Sequence, residues 1–160
     1  LSVDLRDRHY YSQGGSVEAR VKWTDGKQFM GESGSGHVVV MDGPESLGGH
    51  NKGLRPMELL LIGTGGCASF DVISMLEKSR QKVVDCVVDL RAERADAVPA
   101  VFTEIAMHFT VTGVNLKASQ VERAVALSAE KYCSASIMLG AAGVKVSHTF
   151  EVVEFGETAD

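Results

Sequence analysis

The segment from Pro56 to Arg80 is apolar almost all the way round, with acids only at Glu58, Asp71 and Glu77 before the basic end Lys78-Ser79-Arg80. Pro56 suits a first helical turn, where its missing N–H is not needed. A helix with no broad polar face is buried on most sides. At 1.5 Å per residue this one would be about 37 Å long, as wide as a whole small domain. A chain of 160 residues has to be built around such an element. A second subunit is expected to cover part of it. No uninterrupted apolar run approaches the roughly 18 residues of a membrane span.

The flanking segments predict an α+β order. Residues 1–16 are polar and end in Gly14-Gly15-Ser16, and they read as an extension or expression remnant before a single domain over 17–160. Val17, Ala19, Val21 and Trp23 alternate with polar residues, the period of a half-buried strand. Asp25-Gly26 is a hairpin signal, and further strands over 27–33 and 37–42 complete an antiparallel meander. Gly43 to Leu54, with Pro44, Gly48-Gly49 and Asn51, reads as a mobile loop. After the long helix, one strand places Val84, Cys86, Val88, Leu90 and Ala92 on one face, and the next does the same with Ile105, Met107, Phe109 and Val111. Helices over about 117–132 and 134–142 and a final strand carrying Val144 to Val152 close the chain. Strands, helix, strands, helices and strand in that order are not regular βαβ alternation.

Sixteen basic against 21 acidic residues argue against a nucleic-acid partner, which needs clustered Lys and Arg. Without a basic-then-apolar N-terminal segment, a cytoplasmic location is expected. Three cysteines, at 67, 86 and 133, are too scattered for a disulfide scaffold and lack the paired spacing of a structural zinc site. The five histidines show no metal-type spacing, and His108 and His148 read as solvent-edge or satisfied strand residues. Neither Gly34-Ser35-Gly36 nor Gly63-Thr64-Gly65-Gly66 has the surroundings of a phosphate loop. No cofactor or metal is expected.

The thiols separate by position. Cys86 sits among Val84, Val88 and Leu90 and belongs to the core. Cys67 follows three glycines, each of which costs a helix interior about 1 kcal/mol. Close approach of another backbone or of a substrate is the expected reason. Gly63, Thr64, Asp71 and Ser74 flank Cys67 on one small, polar face. It is either a buried thiol at a tight helix crossing or a nucleophile in a narrow pocket. Cys133, after Lys131 and before a new helix, faces the positive end of a helix dipole or simply packs. Two separated thiols fit a pair that forms a disulfide during turnover.

Pro56-Met57-Glu58-Leu59-Leu60 followed by Gly65-Gly66-Cys67, together with Glu130-Lys131-Tyr132-Cys133-Ser134, resembles the two cysteine motifs of the OsmC/Ohr family of osmotically inducible and organic hydroperoxide resistance proteins. The likeness covers about residues 17–155. Ala19 to Trp23, Val84-Asp85-Cys86 and Ser128 to Ser134 look most like its YhfA-like branch. The resemblance implies an OsmC-like fold, with antiparallel sheets around a long buried central helix in an intertwined homodimer. It implies thiol peroxidase chemistry on small organic hydroperoxides. The residue matching Cys67 becomes a sulfenic acid, and the residue matching Cys133 condenses with it to a disulfide. An external dithiol, often on a lipoylated protein, then reduces that bond.

Two departures open a second reading. Met57 stands where the family's peroxidases place a glutamate, with Glu58 one residue later. The family's thiolate-stabilising arginine is also absent near Asp25-Gly26-Lys27, which leaves Lys27, Arg20 or Arg55 as substitutes. Asp71, one turn beyond Cys67, raises a thiol pKa if close. The alternative is a dimeric OsmC-like protein without peroxidase activity that binds an apolar ligand or senses redox state. Met57, Leu60 and Met75 would then line its cavity.

Overall fold

The computed structural model describes residues 16–156, so the expected extension lies outside the described residues except for Ser16. The chain divides into two compact units, with the boundary between Pro56 and Met57.

The N-terminal unit holds β1 (Ala19–Asp25), β2 (Gln28–Ser33) and β3 (Val38–Met41) in the order β1-β2-β3, each neighbouring pair antiparallel. This is the expected meander. Its first turn is closed at Gly26, whose φ of +49° only glycine adopts easily, and the Asp25 carboxylate accepts the Gly26 N–H at 2.9 Å. The half-buried first strand is corrected: all seven residues of β1 are exposed, Trp23 by 61%. The alternation records apolar side chains that this unit leaves uncovered.

The segment from Gly43 to Leu54 is a loop, as expected, with one short 3-10 turn over Glu45–Leu47. Asp42 is buried, and its carboxylate gathers the backbone N–H groups of Gly43 (2.7 Å), His50 (3.1 Å) and Lys52 (3.1 Å). Burial disfavours the Asp42 anion, but those three amides and nearby His50 outweigh it and lower its pKa. The loop is wound around one buried carboxylate.

The C-terminal unit is built on α1 (Pro56–Lys78), which ends two residues earlier than the sequence suggests. Arg80 takes a left-handed φ of +56°, and the Gln81 N–H returns to the Leu76 carbonyl at 2.9 Å, closing the helix. By length and composition alone α1 is long and apolar enough to cross a membrane, although Glu58 and Asp71 interrupt its apolar run. Its buried residues Ala68, Val72 and Leu76 nevertheless join a core with Ile105, Met107, Phe109 and Val111, as expected of a core helix.

Those four residues line one face of β5 (Phe102–Val114), which pairs antiparallel with β4 (Lys82–Arg94). A register shift between Val83 and Asp85 turns Val84 outward to 51% exposure and gives its inward place to Val83. From Cys86 to Ala92 the inward face is as expected. The helices α2 (Ala118–Leu127) and α3 (Ser134–Ala141), separated by a π-helical turn over Ser128–Tyr132, lead to β6 (Lys145–Glu154). The helical connection lets β6 return parallel to β5, so this sheet is mixed and not wholly antiparallel. The fold is α+β.

Candidate functional site

Cys67 lies in the middle of α1, three residues after Thr64 and four before Asp71, so all three share a helix face. Thr64 and Asp71 are buried and Cys67 is half-buried. Gly65 explains one of the three glycines: a Cβ there would lie 2.6 Å from Leu90 Cδ1 of β4. Gly63 and Gly66 face open space in the single chain, so only Gly65 answers to the expected close approach within this unit.

Cys133 reaches the same place from the other side of the core. The π-helical turn closes when the Cys133 N–H bonds to the Ser128 carbonyl at 2.8 Å, and the buried Ser128 hydroxyl donates to the Ala68 carbonyl of α1 at 3.0 Å. Such wide turns are frequent at functional sites. Cys133 then leaves helical geometry (φ −69°, ψ 102°) and caps α3. Its sulfur accepts the Ser136 N–H at 3.5 Å and the Ser136 hydroxyl at 3.2 Å, while its S–H points to the Thr64 carbonyl at 4.0 Å. Cys133 is wholly buried.

The two sulfurs and an Asp71 carboxylate oxygen all lie within 4.8 Å of one another. Burial pushes the Cys67 thiol above its ordinary pKa, and Cys133 and Asp71 push the same way. The backbone N–H of Ala135, in the first turn of α3, opposes them and pulls the pKa down. One helix N-terminus thus serves both thiols: the Ser136 N–H bonds to the Cys133 sulfur, and the Ala135 N–H favours the Cys67 thiolate. The arrangement can hold a thiolate, shelter an oxidised sulfur and bring a second thiol to it.

Glu58 is exposed in the first turn of α1, nine residues from Cys67, or about 13 Å along the axis. Arg20, Lys27 and Arg55 belong to the N-terminal unit. Arg20 and Lys27 are exposed, and Arg55 donates to the Asp42 carbonyl at 2.8 Å and the Gly53 carbonyl at 3.2 Å, holding the wound loop. Lys131 sits 5.6 Å from the Tyr132 ring centre. Met57 and Met75 pack against the core, and Leu60 is 46% exposed. Cys86 is half-buried on the inner face of β4, and burial, then Asp85, raises its thiol pKa. His108 is satisfied by the Thr149 hydroxyl at 2.7 Å. Sequence reasoning did not single out Ala135 and Ser136. The signal available was their place in the first turn after a cysteine that caps the helix.

Residues 49–149 match the family described as OsmC-like protein. The chain is 51% identical over 137 residues to Protein YhfA of Escherichia coli strain K12, covering 86% of this chain and 98% of that one. Among solved structures, a hypothetical protein from Aquifex aeolicus VF5 is 29% identical with a TM-score of 0.72, over 86% of this chain and 98% of that chain. An organic hydroperoxide resistance protein OsmC from Legionella pneumophila shares the fold, with a TM-score of 0.62 at 19% identity over 89% of this chain and 99% of that chain.

Proposed function

The chain belongs to the OsmC-like protein family, and from that premise we propose that it is a two-cysteine thiol peroxidase acting on small organic hydroperoxides. The observation that carries this reading is the convergence of Cys67 and Cys133 on the N-terminus of α3. The Cys67 thiolate attacks the terminal peroxide oxygen, the O–O bond breaks, and the alkoxide leaves and takes up a proton. Cys67 is now a sulfenic acid. The Cys133 sulfur displaces its hydroxyl as water and forms a disulfide, which a second dithiol, such as a lipoylated protein, reduces. The Ala135 N–H stabilises charge on the attacking sulfur, the part a nearby cation plays for other reactive thiols.

The working unit in this proposal is a cytoplasmic homodimer joined through α1. Leu60, Ile62 and Phe70 are 46%, 51% and 44% exposed on that helix, and Gly63 and Gly66 leave room for close approach. A second reading is redox sensing without turnover, with or without an apolar ligand. It is favoured by the raised pKa of Cys67, which keeps the thiol protonated at neutral pH.

Stopped-flow reaction with cumene hydroperoxide and intact-mass measurement test the proposal. Cys67→Ser is expected to lose peroxide consumption. Cys133→Ser is expected to take one peroxide to the Cys67 sulfenic acid, and further equivalents of peroxide then add the mass of a sulfinic or sulfonic acid in place of a disulfide. Consumption by Cys67→Ser at the parent rate refutes the assignment. A Cys67 that stays reduced in excess peroxide favours the second reading.

A further inference from the structure

We propose that the reduced site binds a thiophilic divalent cation of the zinc type through Cys67, Cys133 and Asp71, and that the bound cation withholds both thiols from peroxide. The binding stands on the geometry alone, whereas its regulatory meaning rests on the peroxidase reading. These residues have no metal-type spacing in the sequence, yet the fold gathers two sulfurs and a carboxylate oxygen within 4.8 Å of one another. Zinc takes thiolates at about 2.3 Å and carboxylate oxygens at about 2.0–2.2 Å in a tetrahedron. Two sulfurs around one ion then stand about 3.8 Å apart, a spacing compatible with the 4.8 Å within which this pair lies.

Three ligands leave one tetrahedral position open, and the Ser136 hydroxyl, 3.2 Å from the Cys133 sulfur, lies beside the site. Two thiolates with one carboxylate also suit the ion's softness better than a magnesium or calcium site would. The neighbours that penalise a bare Cys67 anion, Cys133 and Asp71, become partners once a dication sits among them. Asp71 is 3% exposed and Cys133 is wholly buried, so the ion would be largely withdrawn from water. Binding involves no redox step. The ion displaces the thiol protons to solvent, and disulfide formation removes both sulfur ligands, so metal and peroxide compete for the same electrons.

Cobalt(II) titration of the reduced full chain tests this, since thiolate–cobalt bonds give a charge-transfer band that zinc abolishes on displacement. One cobalt per chain is expected, with the band insensitive to magnesium and lost from the disulfide form. Cys67→Ser and Cys133→Ser should each lose half or more of the band, and Cys86→Ser should keep it all. Asp71→Asn should weaken binding at least about tenfold, the loss that even outer partners of a metal site cause. A folded, reduced chain without the band overturns the inference, as does a band that survives both single-cysteine variants or oxidation. Peroxide consumption by the metal-free chain is read separately. If cobalt binds and peroxide is not consumed, the peroxidase reading and the regulatory half fall while the site stands.

Discussion

Cys67 is poised between opposing influences, and their balance sets its pH behaviour. Burial, then Cys133 and Asp71, hold its pKa above the ordinary thiol value, and the Ala135 amide pulls it down. A raised pKa means that the thiolate is the minor form at neutral pH. The second-order rate with cumene hydroperoxide should therefore climb about tenfold per pH unit from pH 7 into the alkaline range, with no plateau near neutrality. Asp71→Asn removes one of the groups that raise the pKa. It should increase the rate at pH 7 severalfold and move the profile to lower pH, measured by stopped flow across pH 6–10. An unchanged profile would mean that Asp71 does not act on the thiol.

At the scale of elements, α1 carries two kinds of glycine. Gly65 is pressed against Leu90, whereas Gly63 and Gly66 meet nothing within the chain. Replacing Gly65 by alanine sets a helix-propensity gain of about 1 kcal/mol against overpacking of about 1–3 kcal/mol. Gly65→Ala is therefore expected to lower stability by up to about 2 kcal/mol in urea unfolding. Gly66→Ala lacks the overpacking cost within the chain. In the proposed dimer its methyl group would instead report on association, raising the dissociation constant while leaving the fold of each chain unchanged by circular dichroism. The turn between α2 and α3 works differently. A widened π-helical turn and a helix cap place one thiol against the middle of another helix.

On the scale of the molecule, α1 leaves large apolar residues open in a single chain, and so does β1 at Val21 and Trp23. In the proposed homodimer the exposed residues of α1 are covered by the second chain. Sedimentation at low micromolar concentration is expected to show a species of twice 17.1 kDa. A sole 17.1 kDa species would remove the dimer from the proposal.

Periodicity and composition made the element order readable: the meander, the long helix, the inner face of β5 and the separation of Cys86 from the other thiols all follow from local pattern. They do so because apolar alternation and helix-breaking residues act over a few positions. The cysteine motifs pointed to the family in the same way. What tertiary structure decided is whatever depends on elements distant in sequence. The inward place of Val83 follows from a register shift, which pattern does not reveal. The winding of 43–54 around Asp42 and the parallel return of β6 also depend on partners many residues away. The site is the clearest case. Sequence indicated Cys67, Cys133 and Asp71 but suggested an external cation for the thiol, because the amides of Ala135 and Ser136 carry no residue signature. Backbone N–H groups are common to nearly every residue, and only the fold decides where a helix begins and toward which sulfur its first turn points.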